Sequence, residues 1–187
     1  MAIYLTSDLH WGHKNLCRGT CTWEDKSGCR DFDTIDQMND WIINKINAKV
    51  GPKDVIYNLG DVIFGDKKQL YGLMGRLKCK EIHLLRGNHE QYLESQPELR
   101  NCFASIGDYK EFYYYKTLFC LFHYPLQVWN EHHRGSIMLH GHCHQSLPVS
   151  SRRIFDCGID HPDSPFSLDE LLEMAKKRNI EALDHHQ

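Results

Sequence analysis

Carboxylate, imidazole and amide side chains recur in short clusters between Asp8 and His144, and these groups bind divalent metal ions in proteins. Asp8 and His10 are two residues apart, so in extended backbone both side chains point to the same side. Asp61 follows Gly60; its two carboxylate oxygens can bridge two cations, and the glycine allows a close approach of the backbone. The first two clusters therefore offer ligands to one or two ions.

A third cluster reads Gly87-Asn88-His89-Glu90 and combines an amide with an imidazole. The amide oxygen of Asn88 is a hard ligand that suits a divalent cation. The neighbouring ring of His89 can reach a substrate without itself binding metal. Turn chemistry alone accounts for Gly-Asn, but it does not account for the histidine beside it.

Histidines dominate the last two clusters. His142 and His144 are two residues apart after a β-prone run, so both rings can face one site. Cys143 between them is expected to point away and to behave as a small buried thiol. His123 follows the apolar run 118–122, and on its own it is better interpreted as a core histidine.

Each cluster has an ordinary explanation when it is considered alone. Asp-x-His arises by chance, and Gly-Asp is common in turns. The combination is informative because all of the clusters occur in one chain and each follows a predicted strand. The chain also contains 13 histidines, and imidazole is a common metal ligand that is too polar for core filling. The joint pattern predicts a metal site.

Short strands separated by helices are predicted to position the first three clusters. β-prone runs at 3–7, 55–59 and 81–85 end immediately before them. Thr34 can cap a helix that continues to Val50, and a shorter helix is predicted at 67–77. This alternation implies parallel pairing, and open α/β sheets bind ligands outside the carboxyl ends of their strands.

The second half of the chain has a different pattern. β-prone runs at 109–115, 118–123, 137–140 and 154–157 are separated by short turns and predict a second, more antiparallel sheet. Ser167 and Glu170 form a capping box for a final helix that continues to about residue 178, and the tail 184–187 is expected to fray. No linker divides the chain, so we predict one domain over 1–187.

In this order, Asp8-x-His10, Gly60-Asp61, Gly87-Asn88-His89-Glu90, His123 and Gly141-His142-x-His144 resemble the signature of the calcineurin-like metallophosphoesterases. The resemblance extends from about residue 3 to residue 144. It implies an α/β fold, a four-layer α/β/β/α sandwich in which two mixed sheets are flanked by helices. The metal site would lie at the carboxyl ends of the strands.

The resemblance also implies roles for individual residues. One ion would be held by Asp8, His10, Asp61 and His144, and the other by Asp61, Asn88, His123 and His142, with Asp61 as the bridge. Mixed oxygen and nitrogen ligands favour Mn²⁺ first, then Fe²⁺, Zn²⁺ or Ni²⁺. The implied reaction is direct attack on phosphorus by a water that the two ions activate. Asp61 and His89 are the catalytic candidates, with His89 protonating the leaving alkoxide or holding a phosphate oxygen.

The residues after Gly60-Asp61 differ from those of the family's protein phosphatases, and this difference indicates which branch of the family the chain resembles. Their Gly-Asp continues to Asp-Arg-Gly, whereas here the run is Gly60-Asp61-Val62-Ile63-Phe64-Gly65-Asp66, without the phosphate-clamping arginine. This favours the small prokaryotic or phage-type phosphoesterases. Four arginines could replace the clamp, although each is expected to be an ordinary surface residue: Arg18, Arg30, Arg86 and Arg134.

Composition limits the partners and the compartment. The net charge of −3 gives no general attraction to nucleic acid or to an anionic membrane. The N-terminal run has neither the basic start nor the length of a signal peptide, which predicts a cytoplasmic location and reduced thiols. Cys17, Cys21 and Cys29 lack the spacing of a zinc site, so free thiols on a loop near the active site are favoured.

Some histidines outside the clusters have two interpretations. His13 and the pair His132-His133 can line the mouth of the pocket, or they are ordinary surface residues.

The leading function is hydrolysis of phosphodiester bonds in small substrates, nucleotides among them, with phosphomonoester hydrolysis as the close alternative. A nuclease is disfavoured by the acidic balance and by the lack of a basic stripe. A metal-binding interaction scaffold is disfavoured because every expected ligand position is filled. The predicted partner is a small phosphate ester, with no membrane.

Overall fold

The first sheet is built around the three parallel strands that the sequence predicts. The computed structural model describes residues 1–183, and the predicted tail 184–187 lies outside that part of the chain. The strands of this sheet are β1 (Ile3–Thr6), β2 (Val55–Asn58), β3 (Glu81–Leu85), β4 (Ser105–Gly107) and β9 (Phe166–Ser167). They are ordered β4-β3-β2-β1-β9, and β9 alone among them is antiparallel to its neighbour. The predicted parallel pairing of the first three strands is confirmed.

The second sheet corrects one prediction. Its strands are β5 (Tyr109–Tyr114), β6 (Thr117–Phe122), β7 (Ile137–His140) and β8 (Ile154–Asp156), paired in that order. Only β5 and β6 are antiparallel, whereas β6, β7 and β8 are parallel, so the expectation of a more antiparallel sheet was wrong. The segments 123–136 and 141–153 are long enough to cross over without a long helix, and parallel pairing requires such a crossover.

The helices are α1 (Ile35–Lys49), α2 (Lys67–Arg76), α3 (Tyr92–Ser95) and α4 (Leu168–Ala175), with 3₁₀ turns at Lys14–Leu16, Pro97–Cys102 and His132–Arg134. Thr34 and Ser167 form the capping boxes that begin α1 and α4, as predicted for α4. The final helix ends at Ala175 rather than near Arg178. After it, Lys177 and Arg178 donate their N–H groups to carbonyls three residues earlier, as in a turn, and Asn179 donates its N–H to the carbonyl of Ser151 at 2.8 Å.

Three hydrophobic clusters hold the layers together. Helices α1 and α2 pack on the first sheet through a cluster that includes Met38, Ile42 and Leu73. A second cluster fills the space between the sheets and includes Leu5, Phe119 and α4. The outer face of the second sheet is covered by the segment that contains Trp129. The predicted arrangement of two mixed sheets flanked by helices is confirmed, and it aligns the carboxyl ends of the strands at one edge.

Within the described residues, no helix has both the length and the apolar character needed to cross a membrane.

Replacement of Phe119 tests the inter-sheet cluster. Phe119 is 0% exposed, and Phe119→Ala is expected to lower the free energy of unfolding by about 3–5 kcal/mol because it leaves a cavity. Urea denaturation followed by circular dichroism measures the change. Tyr113→Ala, on the paired strand but 61% exposed, is the control and should change stability by less than about 1 kcal/mol. Equal effects of the two substitutions would contradict this assignment of the core.

Candidate metal centre

The loops that leave five strands meet at one edge of the two sheets. The loops after β1, β2 and β3 carry the first three clusters, and those after β6 and β7 carry the histidine clusters. This edge brings together all of the predicted ligands and the catalytic candidate beside them: Asp8, His10, Asp61, Asn88, His89, His123, His142 and His144.

The first group of donors consists of Asp8, His10 and His144, whose donor atoms lie within 4.8 Å of one another. The Nε2 atoms of His10 and His144 are 3.0 Å apart, with the rings stacked. The Nε2 atom of His144 is 4.0 Å from Oδ1 of Asp8. Two imidazole nitrogens and a carboxylate oxygen therefore converge on one point.

The second group consists of Asp61, His123 and His142, again within 4.8 Å. Asn88 joins this group through its amide oxygen, which is 3.1 Å from Nε2 of His123 and 3.0 Å from Nδ1 of His142. His123 is 0% exposed and its Nδ1 lies 2.7 Å from the carbonyl oxygen of Leu59. That contact orients the opposite ring nitrogen towards Asn88 and Asp61.

Asp61 lies between the two groups. Its Oδ2 atom is 3.7 Å from Nε2 of His10 and 3.6 Å from Nε2 of His123. The same oxygen is 4.0 Å from Nε2 of His89, and His10, Asp61 and His89 form a third set of donors within 4.8 Å. The geometry thus allows Asp61 to serve both groups and places His89 beside the first.

The backbone at these positions is strained in a way that a strand end alone does not require. Left-handed φ angles occur at Asp8 (56°), His10 (48°), Asp61 (57°), His142 (68°) and His144 (46°). Each such non-glycine residue costs on the order of 1–3 kcal/mol and persists only where the surrounding structure fixes it. Strain of this kind is concentrated at functional sites, which supports the interpretation of the cluster.

Two glycines keep the space beside the carboxylates open. A Cβ atom on Gly87 would lie 2.3 Å from Oδ1 of Asp61, and one on Gly141 would lie 1.9 Å from Oγ of Ser7 and 2.6 Å from Oδ2 of Asp8. A side chain at either position would push a carboxylate out of the cluster. The glycines of the motifs are therefore required by close approach.

Glu90 is a supporting residue to which the sequence analysis gave no role. Its buried carboxylate accepts hydrogen bonds from the backbone N–H groups of Asp61 (3.0 Å), Val62 (2.9 Å) and Gly87. Burial raises its pKa to about 7, although these hydrogen bonds act in the opposite direction. Glu90 thus joins the loops after β2 and β3. The sequence shows Glu90 in the third cluster, but it does not show that the side chain turns back to the loop after β2.

Asp160 and Arg30 form a second support that the sequence did not reveal. Asp160 lies 2.8 Å from Nδ1 of His144 and accepts hydrogen bonds from Nε (2.6 Å) and Nη2 (3.0 Å) of Arg30. Arg30 also donates to the backbone carbonyls of Asp8 (2.6 Å) and Leu9 (2.8 Å). A carboxylate behind a histidine fixes the orientation of its ring, so Nε2 of His144 faces the cluster. Although burial acts to raise it, these bonds hold the pKa of Asp160 well below its usual range.

The predicted surface position of Arg30 was wrong, since it is buried and fully engaged with Asp160 and backbone carbonyls. The other three candidates for a phosphate clamp each pair with a carboxylate. Arg86 binds both oxygens of Asp108 at 2.7 Å, and the remaining two pairs are Arg18 with Asp31 (3.1 Å) and Arg134 with Glu131 (3.8 Å).

The electrostatics of the cluster suit cations. Burial raises the pKa of Asp8 to about 7, since removal from water disfavours its charged form. Burial lowers the pKa of His10 to about 2, so this ring is neutral and its lone pair is available to a metal. Its buried Nδ1 atom has no hydrogen-bond partner within the described part of the chain. Carboxylate, amide and neutral imidazole donors together fit borderline divalent ions.

The thiols near this edge support the loop 12–33. Cys17, Cys21 and Cys29 are buried free thiols, and the first and third donate to backbone carbonyls of Phe32 (3.2 Å) and Asn15 (3.3 Å). Cys143 is only half-buried, in contrast to the prediction, because its loop lies at the open edge of the site.

His13 lies next to the cluster, 5.7 Å from the ring of His10. The pair His132-His133 lies elsewhere, since His132 packs against Trp129 on the outer face of the second sheet and the ring of His133 lies 5.7 Å from that of His132.

Comparisons with known proteins find a family, relatives and a solved structure that are similar to this chain. A sequence model of the family described as calcineurin-like phosphoesterase matches residues 1–187. The chain is 33% identical over 186 residues to the uncharacterized protein MJ1445 of Methanocaldococcus jannaschii, covering 95% of this chain and 93% of that protein. It is 24% identical over 199 residues to the Gene 66 protein of Mycobacterium phage D29, covering 92% and 94%. Its fold is similar to that of AQ665 from Aquifex aeolicus, a protein of unknown function, with a TM-score of 0.68, 19% identity, and 92% and 98% coverage.

Substitution of Gly141 tests the packing of the first donor group. Gly141→Ala is expected to weaken Mn²⁺ binding by about 10- to 100-fold, because the new methyl group displaces the carboxylate of Asp8. Metal content after reconstitution and dialysis is the measurement. Gly72→Ala is the control, since a Cβ atom there meets nothing within 4 Å. Unchanged metal content in Gly141→Ala would contradict the proposed position of Asp8.

Proposed function

The chain belongs to the calcineurin-like phosphoesterase family and is a hydrolase of phosphoric ester bonds, and from this premise we propose that it hydrolyses phosphodiesters of small substrates with two divalent metal ions. Mn²⁺ is the proposed native metal, with Fe²⁺, Zn²⁺ and Ni²⁺ as alternatives. Nucleotides are among the proposed substrates.

The position of Asp61 is the observation that carries this proposal. Its carboxylate lies between two separate groups of donors, which is the arrangement that two neighbouring cations require. The first ion would be held by Asp8, His10, Asp61 and His144. The second would be held by Asp61, Asn88, His123 and His142.

The surrounding residues hold the ligands in place before any substrate arrives. Asp8 is fixed by the backbone N–H of His142, which lies 3.0 and 2.9 Å from its two oxygens. Asp61 accepts a hydrogen bond from the backbone N–H of His89 at 3.0 Å. When bound, two cations would supply positive charge for the phosphoryl oxygens and lower the pKa of a bound water towards about 7.

His89 is the proposed proton donor to the leaving alkoxide. Its side chain is 34% exposed, so it reaches solvent and a bound substrate, unlike the buried rings of His10 and His123. Its backbone is anchored to Asp61, which keeps the ring beside the proposed ions. A positioned imidazole contributes to catalysis by transferring a proton in the transition state.

The pairing of the arginines favours diesters over monoesters. A phosphomonoester carries a second negative charge near neutral pH, and a bidentate arginine is the usual partner for such a group. Here each of the four candidate arginines is already paired with a carboxylate. Phosphomonoester hydrolysis is the alternative function, and relative rates on a diester and a monoester distinguish the two.

Metal removal and restoration tests the proposal. Chelation should abolish cleavage of bis-p-nitrophenyl phosphate and added Mn²⁺ should restore it, with p-nitrophenyl phosphate cleaved more slowly. Asp61→Asn is expected to lower kcat/KM by about 10²-fold or more, because it removes the shared negative ligand. Asp31→Asn, whose side chain is 92% exposed, is the matched control and should retain activity. Full activity in the chelated protein would refute the metal mechanism, and a preference for the monoester would support the alternative.

The role of His89 gives a separate prediction. His89→Ala is expected to lower turnover by about 10²–10⁴-fold on alkyl diesters and less on p-nitrophenyl esters, whose leaving group needs no protonation. Metal content should not change. His83→Ala, on β3 outside the cluster, is the control. Loss of metal from His89→Ala would instead assign His89 to the donor set that it forms with His10 and Asp61.

A further inference from the structure

We infer that Phe64 forms a stacking subsite beside His89 that binds the base of a nucleotide substrate, and that Trp23, which contacts His13 as Phe64 does, lies near it. This inference rests on the proposed function and specifies its substrate class. Both rings are exposed at the edge of the metal centre, Phe64 at 45% and Trp23 at 46%. Both lie on loops that follow metal-ligand clusters, Trp23 after His10 and Phe64 after Asp61.

The ring of His13 packs against both Phe64 and Trp23. Its ring centroid is 4.0 Å from that of Phe64, with the planes tilted by 35°, and 5.9 Å from that of Trp23 in an edge-on contact. His13 is itself fixed, since its N–H donates to the carbonyl of His10 at 3.0 Å and its Nδ1 accepts from the N–H of Leu16 at 3.2 Å. One face of Phe64 is therefore covered while part of the ring stays open to solvent. A ring held in this way loses little conformational entropy when it binds a ligand.

The subsite is continuous with the proposed catalytic group. The ring centroids of Phe64 and His89 are 5.6 Å apart, and those of His13 and His89 are 6.5 Å apart. His89 is the group proposed to protonate the leaving alkoxide. The part of the substrate that leaves is therefore the part that lies against Phe64.

The surroundings of Phe64 favour a nucleobase over a purely apolar ring. Phe64 lines an open cavity of about 620 Å³ together with polar residues, among them Lys14, Asp66 and Gln69. A nucleobase presents a π-face for stacking and an edge of hydrogen-bond donors and acceptors. The aromatic ring and the polar rim of this cavity match both features.

Equilibrium binding of two phosphate monoesters tests the subsite. AMP and ribose 5-phosphate share a sugar phosphate and differ in the base, and each is titrated calorimetrically into the Mn²⁺-loaded full chain. AMP is expected to bind about 5- to 150-fold more tightly, which is the range for one stacked base. In Phe64→Ala this ratio should fall close to one, whereas Phe64→Tyr should preserve most of it. Tyr115→Ala, 78% exposed and outside this cavity, is the control and should leave the ratio unchanged.

The outcomes separate this inference from the proposed function. A ratio near one in the wild-type chain, or an unchanged ratio in Phe64→Ala, overturns the stacking subsite. A base preference that depends on Phe64 supports the subsite even if bis-p-nitrophenyl phosphate is not cleaved, and in that case only the proposed reaction fails. If AMP itself releases phosphate, the ratio of kcat/KM for AMP and ribose 5-phosphate replaces the ratio of dissociation constants, and the same dependence on Phe64 is expected.

Discussion

The site depends on a backbone ladder that continues beyond the ends of two parallel strands. After β1 and β2 end, the backbone N–H of Asp8 donates to the carbonyl of Gly60, and the backbone N–H of His10 donates to the carbonyl of Asp61, each at 3.0 Å. These bonds set the two ligand loops side by side, so the distance between the carboxylates is fixed by main-chain geometry. The left-handed φ angles at these residues persist because the ladder holds them.

A hydrogen bond to the side chain of Asp8 joins the second sheet to the first. The backbone N–H of His142, in the loop after β7, donates to the carboxylate of Asp8 in the loop after β1. Within the second sheet, the N–H of Gly141 donates to the carbonyl of His123 at 2.9 Å. Asp8 is thus both a proposed ligand and a junction between the sheets. A side chain at Gly141 would displace the carboxylate of Asp8 and so disturb both the proposed ligand and the contact between the sheets.

Much of this arrangement follows from the sequence, because the proposed ligands come directly after β-prone runs and parallel strands end at a common edge. The residues that hold the proposed ligands in place could not be predicted from the sequence. Glu90, Asp160 and Arg30 bind backbone groups or rings that are distant along the chain. Strands β4 and β9 were missed because they are too short to show a pattern. The direction of β7 was missed because it depends on how a loop without a long helix crosses the sheet.

The ion pair between Arg30, which is buried, and Asp160, whose side chain is 22% exposed, also limits how the sequence of such a chain can diverge. Loss of one partner leaves the other charge in a largely buried place, which costs up to about 3–5 kcal/mol, and other hydrogen bonds to Arg30 and Asp160 reduce that cost. A lineage can therefore replace the pair only by changing both positions together, or by passing through an unstable intermediate sequence. Arg30 and Asp160 are 130 positions apart in the sequence, yet substitutions at the two positions are expected to occur together in related proteins.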